Sequence, residues 1–153
     1  MEIVEAKEKD MLRVRDLFLE YQKWLGIDLC FQGFEKELAN LPGCYAAPNG
    51  VILVAIKDRI IVGCVCIRPQ VNNEAELKRL YVKPNHQGDG IGKKLLHIAM
   101  LKAKKIEYAS IVLDTLPMMQ TAKLLYVNYG FKKIPAYCEN PVEGVEYFKY
   151  SFS

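Results

Sequence analysis

A glycine-rich turn between a strand and a helix, near the middle of the chain, constrains the fold more than any other feature. The turn consists of Gln87, Gly88, Asp89, Gly90, Ile91 and Gly92. An alternating strand pattern precedes it over residues 76–82, and a helical pattern follows over residues 90–106. Such a turn directs backbone N–H groups and the positive end of the helix dipole at one place, which suits a phosphate. A plain strand-to-helix connection explains the same residues, so both interpretations stand at this point.

Spacing excludes two nucleotide-binding motifs at this turn. A dinucleotide-binding fingerprint needs a glycine three positions after Gly90, where the chain has Lys93. A Walker A loop needs Ser or Thr after Gly92 and Lys93, where the chain has Lys94. Any anion bound here is therefore held by a different kind of site.

Hydrophobic periodicity predicts alternating strands and helices along the whole chain. We expect strands at residues 3–6, 51–56, 60–67, 76–82, 110–114 and 145–152, and helices at residues 10–25, 34–41, 90–106 and 118–129. Within residues 76–82, simple alternation places Leu77, Arg79 and Tyr81 on one face. This order predicts an α/β (α+β) fold with a mixed sheet and helices on both faces. No long linker divides the chain, so one domain over residues 1–153 is expected.

Composition narrows the partners without identifying an activity. The net charge of +3 is too small to indicate a nucleic-acid partner, although five lysines between residues 93 and 105 predict a basic helix face, solvated or turned to an anion. Five cysteines without a C-x-x-C pair and only two histidines argue against a zinc site, and we expect no metal. Without a signal-peptide pattern or a long apolar run, we expect a cytoplasmic protein that does not bind a membrane.

Two segments share the sequence signatures of one superfamily. The first signature is Gln or Arg, two residues, Gly, one residue, then Gly or Ala, and Gln87, Gly90 and Gly92 match it. Residues 113–131, which contain Tyr126, match the second at the right distance. On these residues the chain resembles the GNAT superfamily of N-acetyltransferases, and in particular small bacterial single-domain members. The resemblance extends from about residue 51 to residue 153, and the first 50 residues match least specifically.

The resemblance implies transfer of the acetyl group from acetyl-CoA to a primary amine of a small molecule or peptide by direct attack. It also implies that two parallel strands splay apart and that the pantetheine arm of the CoA pairs with the strand backbone at Leu80 and Val82. The pyrophosphate would lie on the N–H groups of the turn. The cofactor-binding residues implied in this way are Leu80, Tyr81, Val82, Gln87, Gly88, Asp89, Gly90, Ile91, Gly92 and Lys93.

Two residues are candidates for catalysis. Tyr126 matches the position of the family's acid, and a phenol with a pKa of about 10 can protonate a leaving thiolate at neutral pH. Helical spacing alone favours a packing role for Tyr126, and only the match to the family position favours the acid instead. Glu76 is the first candidate for the base, on the expectation that partial burial raises its pKa. A solvated or salt-bridged Glu76 fits the sequence as well.

The acceptor site is the least specified part of the prediction. Candidate contacts to the amine are Asp114, Trp24, Phe31 and Tyr137. Helix capping is the alternative for Asp114, and ordinary core packing is the better explanation for most of the aromatic residues. Ala136 stands where the resemblance leads us to expect another residue of an aromatic cluster. The sequence leaves the identity of the amine open, and it also leaves a homodimer open.

Two other functions compete with the enzyme. A GNAT-fold module could bind acyl-CoA as a sensor or interaction domain without turnover, although the intact Gln87, Gly90, Gly92 and Tyr126 favour an enzyme. Nucleic-acid binding through the lysine-rich helix is the third hypothesis. The nearly neutral total charge disfavours it.

Overall fold

The computed structural model describes residues 1–27, 29 and 33–152. The elements follow one another as β1 (Glu2–Glu5), α1 (Met11–Leu25), α2 (Phe34–Ala39), β2 (Val51–Lys57), β3 (Ile60–Pro69), β4 (Glu74–Val82), α3 (Ile91–Lys105), β5 (Ser110–Thr115), α4 (Gln120–Tyr129), β6 (Lys132–Ile134) and β7 (Glu146–Ser151). All predicted elements are present, within two residues of their predicted bounds. The sequence prediction missed β6, a short and lysine-rich strand that pairs with β7.

Seven strands in the described residues form a mixed sheet in the order β1-β2-β3-β4-β5-β7-β6. The first four strands form an antiparallel meander, and β5 joins β4 in parallel after the crossover through α3. The last strand, β7, lies antiparallel between β5 and β6. The predicted mixed sheet with helices on both of its faces is confirmed.

Each face of the sheet has its own apolar core. On the face covered by α3 and α4, Leu95, Ala99 and Ala103 of α3 are buried against the strands. On the opposite face, Val14 and Phe18 of α1 are fully buried. Burial of a side chain the size of leucine contributes about 1.5–3 kcal/mol. The two cores therefore hold the sheet in place between the helices and support the residues at its edge.

A bulge in β4 changes which residues share a face. The register of β4 against β3 shifts between Cys64 and Cys66, and Arg79 adopts a left-handed backbone conformation with φ 60°. One extra residue in a strand reverses the alternation of the side chains that follow it. The prediction that Leu77 and Tyr81 lie on the same face of the sheet is therefore wrong. Leu77 packs under α3, whereas Tyr81 packs under α1 on the opposite face.

Beyond this shared segment, β4 and β5 separate. Their parallel ladder covers three residue pairs, from Glu74 opposite Ser110 to Glu76 opposite Val112, although both strands continue beyond it. The bulge follows directly after the last pair, and a bulge bends its strand. The splay of two parallel strands implied by the family resemblance is therefore present at the C-terminal ends of β4 and β5.

Candidate active site

A cavity of about 410 Å³ lies at the splay, between the glycine turn and the start of α4. Nine of the ten residues predicted to bind the cofactor line it: Leu80, Tyr81, Val82, Gln87, Gly88, Gly90, Ile91, Gly92 and Lys93. The exception is Asp89, an exposed residue whose carboxylate lies 3.9 Å from the ammonium of Lys57. The structure thus brings the strand and turn residues of the prediction together around one space.

The turn leaves a row of backbone donors free at the N-terminus of α3. Gly88 and Gly90 have φ values of 90° and 79°, which glycine adopts far more readily than other residues. Within the described residues, no protein acceptor is bonded to the N–H groups of residues 88–93, and the first bonded donor is Lys94, whose N–H reaches the Gly90 carbonyl at 3.2 Å. The first turn of α3 carries no acidic side chain. These donors can therefore hold an anion.

Two other residues of the turn have structural roles. The side-chain amide of Gln87 donates to the Val82 carbonyl at 2.8 Å and so ties the turn to the end of β4. A Cβ on Gly92 would lie 3.3 Å from Cδ1 of Leu125, so glycine lets α3 approach α4 closely. Together these contacts fix the direction in which the N–H groups point.

A smaller cavity of about 30 Å³ lies between the separating strands. Lys78 of β4, Thr115 of β5 and Tyr126 of α4 contribute to its lining. Leu80 and Met119 line both cavities, so the two spaces adjoin. A molecule that fills the larger cavity can reach the side chains of the smaller one past these two residues.

The hydroxyl of Tyr126 is the proton donor available at this junction. The residue is 4% exposed, and burial raises the pKa of its phenol well above the ordinary value of 10.0. No hydrogen bond to this hydroxyl occurs among the residues that the structure describes. Tyr126 therefore keeps its proton at neutral pH and has not committed it to another group.

Glu76 lies in a network of charged and polar side chains. Its carboxylate accepts hydrogen bonds from Nε of Arg68 at 2.7 Å and from the hydroxyl of Tyr137 at 2.6 Å. Burial by itself raises the pKa of Glu76, but the charges of Lys78 and Arg68 and the hydrogen bonds from Tyr137 and Arg68 together outweigh burial, and the pKa is lowered. The expected upward shift is therefore wrong, because the hairpin of β3 and β4 places Arg68 against this carboxylate.

The residues predicted to contact the acceptor do not form one cluster. Asp114 lines the smaller cavity, where its carboxylate accepts a hydrogen bond of 3.3 Å from Asn140 and lies 3.9 Å from the ammonium of Lys78. Trp24 lines the larger cavity instead, half exposed. Tyr137 is engaged with Glu76, and Phe31 lies outside the described residues.

The sequence prediction missed three polar residues near the smaller cavity. Arg79 forms two hydrogen bonds of 3.0 Å with the carboxylate of Glu37, which joins β4 to α2. Burial lowers the pKa of Lys78, while the charge of Asp114 acts in the opposite direction. Thr115 is buried beside them. The signal was present, because charged residues inside an apolar strand must find partners or a ligand.

The described part of the chain contains neither a candidate metal site nor a helix that could span a membrane. There, no group of three or more His, Cys, Asp or Glu side chains could hold a metal ion. Cys44, Cys64, Cys66 and Cys138 are free thiols. None of the helices in the described ranges has the length and apolar character needed to cross a membrane.

Comparison with known proteins gives matches over most of the chain. Residues 48–133 match the family described as acetyltransferase (GNAT) domain. An uncharacterized N-acetyltransferase of Schizosaccharomyces pombe is 36% identical over 147 residues, which are 95% of this chain and 90% of that protein. A GNAT-family acetyltransferase structure from Staphylococcus aureus has a TM-score of 0.82 at 24% identity, over 99% of both chains. Another, from Elizabethkingia anophelis with acetyl-CoA bound, has a TM-score of 0.57 at 26% identity, over 67% of this chain and 76% of that one.

Proposed function

We infer that this chain, which belongs to the GNAT family of acetyltransferases, is an N-acetyltransferase that moves the acetyl group of acetyl-CoA to a primary amine of a small molecule or peptide. The observation that carries this inference is the pair of adjoining cavities at the splay of β4 and β5. The larger cavity offers free N–H groups to a phosphate, and the smaller one holds a protonated phenol. Acetyl transfer from a thioester needs both kinds of group in contact with one substrate.

The turn and β4 are the proposed binding surface for acetyl-CoA. The N–H groups of residues 88–93 would hold the pyrophosphate, helped by the dipole of α3 and the charge of Lys93. Apart from the adjacent residues, no atom of the described part of the chain lies within 4 Å of a Cβ built on Gly88 or Gly90, so the phosphates can approach the backbone there. The backbone of Leu80 and Val82, beyond the ladder with β5, would pair with the pantetheine arm.

Tyr126 is the proposed proton donor. The neutral amine attacks the thioester carbonyl, a C–N bond forms and the C–S bond breaks, and the departing sulfur takes the proton of the phenol. The proton that the amine loses passes first to a base, and after product release a proton from solvent restores the phenol. Two features support this role, namely the position of Tyr126 on the smaller cavity and its free hydroxyl.

Glu76 is the proposed acceptor of the amine's proton. Arg68 and Lys78 hold it as a carboxylate with a lowered pKa, so it is a weak base. Because a weak base removes few protons from the ammonium form, most of the acceptor has to lose its proton through its own ionisation equilibrium. The rate should consequently follow the fraction of acceptor that is already neutral.

The proposed setting is the cytoplasm. The free thiols at Cys44, Cys64, Cys66 and Cys138 are typical of reducing compartments. Fractionation of the native host cells with an antibody against the chain tests this location.

Acetyl-CoA binding and CoA release together test the function. We expect calorimetry to detect acetyl-CoA binding and a thiol-detection assay to show saturable CoA release with at least one amine of a broad panel. Binding without release by any amine would favour a module that binds acyl-CoA without turnover. No binding of acetyl-CoA would contradict the inference.

A further inference from the structure

Two donor groups on the smaller cavity have unused hydrogen-bonding capacity. Oγ1 of Thr115 is buried and has no hydrogen-bond partner among the described residues. The Lys78 side chain is 6% exposed, and its ammonium makes no hydrogen bond within the described part of the chain, since its ion pair with Asp114 spans 3.9 Å. Buried polar groups are nearly always bonded to protein, water or ligand. Both groups line the same cavity, so they indicate a polar occupant.

The unused groups require an occupant that accepts hydrogen bonds. An ammonium has donors and no acceptor, and a threonine hydroxyl beside it can donate as well. A carboxylate has only hydrogen-bond acceptors, and it carries the negative charge that the Lys78 ammonium does not have within hydrogen-bond distance. An anion beside Lys78 would also favour its charged form, which burial disfavours.

Among the described residues, the charged side chains that line the cavity are all in ion pairs. Lys78 pairs with Asp114, and Arg79 pairs with Glu37. An occupant with a single net charge would leave one buried charge without compensation, which is strongly unfavourable. An occupant with one ammonium and one carboxylate keeps the balance.

The size of the cavity limits what enters it. About 30 Å³ is room for about two water-sized groups. The two oxygens of a carboxylate meet this limit, whereas a ring does not. An amino group a few bonds away from that carboxylate would stay close to Tyr126, which lines the same cavity.

We propose that the acceptor is an amino acid or a similar amine with a carboxylate a few bonds from its amino group, and that Lys78 Nζ and Thr115 Oγ1 bind this carboxylate. The proposal rests on the N-acetyltransferase function inferred above and names its substrate class. Asp114, which lines the same cavity 3.9 Å from the Lys78 ammonium, would face the ammonium of the entering acceptor. Lys78 and Thr115 are thus specificity-determining residues of the acceptor site.

Matched acceptors test the substrate class. Each amino acid is compared with its own amide, for example glycine with glycinamide and methionine with methioninamide. We expect kcat/KM, expressed per concentration of neutral amine, to be roughly tenfold higher for the acids, because a hydrogen-bonded charge is worth that much or more. The amides have the lower amino pKa and a larger neutral fraction, so this correction removes the advantage that ionisation gives them. Equal or better use of the amides on this basis overturns the proposal while the N-acetyltransferase function stands.

Two variants test the two residues. Thr115→Val keeps the shape of the side chain and removes its hydroxyl, and Lys78→Met removes the charge. We expect each to lower kcat/KM for the acids by roughly tenfold through KM, and to change it much less for the amides. Lys132→Met, an exposed lysine of β6, is the matched control and should behave as the native chain does. If the acids keep their advantage in Thr115→Val and Lys78→Met, with the native fold verified by circular dichroism, the proposal is wrong.

Binding measurements cover the case in which the panel is not acetylated. With CoA present, which has no acetyl group to transfer, glycine and glycinamide are titrated by calorimetry. Tighter binding of the acid, lost in Thr115→Val, supports the proposal, and equal binding of the two overturns it. Failure of acetyl-CoA itself to bind contradicts the N-acetyltransferase function, and the substrate class with it.

Discussion

At the residue scale, Tyr126 combines deep burial with a free hydroxyl, so a substitution can separate its chemistry from its packing. Tyr126→Phe keeps the ring and removes the proton donor. We expect kcat to fall by about tenfold or more while the Kd for acetyl-CoA stays the same. Thiol release and calorimetry measure the two quantities.

The same helix supplies a matched control. Tyr129 packs its ring 5.4 Å from that of Tyr150 and does not line the smaller cavity. Tyr129→Phe should leave kcat unchanged. A similar loss in both variants would indicate a packing effect, and an unchanged Tyr126→Phe would exclude Tyr126 as the acid.

The pairing of Glu76 with Arg68 leads to a prediction about pH. Because the pKa of Glu76 is below its ordinary value of 4.5, its carboxylate stays ionised across the neutral range. We expect kcat/KM to rise with pH until the acceptor amine is neutral, without an inflection from Glu76. A pH profile of the native chain and of Glu76→Gln measures this. An inflection near neutral pH that disappears in Glu76→Gln would contradict the lowered pKa.

At the scale of the elements, the glycine turn and α3 act as one unit. Gly90 begins α3 with φ 79°, so alanine there strains the backbone by about 1 kcal/mol and fills space beside the free N–H groups. We expect Gly90→Ala to weaken acetyl-CoA binding by about tenfold in calorimetry.

A second glycine with a similar backbone conformation serves as a control, because it distinguishes the effect of backbone strain from the effect on acetyl-CoA binding. Gly26 ends α1 with φ 68° and does not line the larger cavity. Gly26→Ala should lower the midpoint of urea unfolding about as much as Gly90→Ala, without a change in the Kd for acetyl-CoA. Equal binding by the two variants would remove the turn from the proposed phosphate site.

Local sequence patterns were sufficient to predict the helices and most of the strands, but they did not predict the bulge in β4. The turn, α3 and the strand before it follow from periodicity and glycine spacing, because both act over a few residues. The left-handed Arg79 lies in the bulge between the pairs that Lys78 and Tyr81 form with β3, and its side chain pairs with Glu37. Alternation within one strand cannot report either long-range contact. The same reason explains the wrong direction for the pKa of Glu76, since its partner Arg68 comes from a neighbouring strand.

At the scale of the whole molecule, buried ionisable groups define a pH range of stability. The pKa values of Asp10 and Glu76 lie below their ordinary values of 3.8 and 4.5, so the stability they contribute is lost as the pH falls through the lowered values. Burial raises the pKa of Cys64 and of Tyr21 to about 12 each, so their contribution is full below the ordinary values of 9.0 and 10.0 and is lost as the pH rises toward 12.

The expected result is a plateau of stability between the acid and alkaline limbs. Urea unfolding at a series of pH values, followed by circular dichroism, measures the free energy of unfolding. A free energy that still increases above pH 10 would contradict the raised pKa values of the buried thiols and phenols.

The position of β7 affects the order in which the strands can pair while the chain is being synthesised. Strands β1 to β4 are neighbours in both sequence and space, so they can pair while the chain is still leaving the ribosome. In contrast, β6 is made before β7 and yet has its described partner in β7, which also separates it from β5. During translation β6 must therefore wait for β7, and until then β5 has an open edge on the side away from β4. The part of the sheet that contains β7 and β6 therefore forms last.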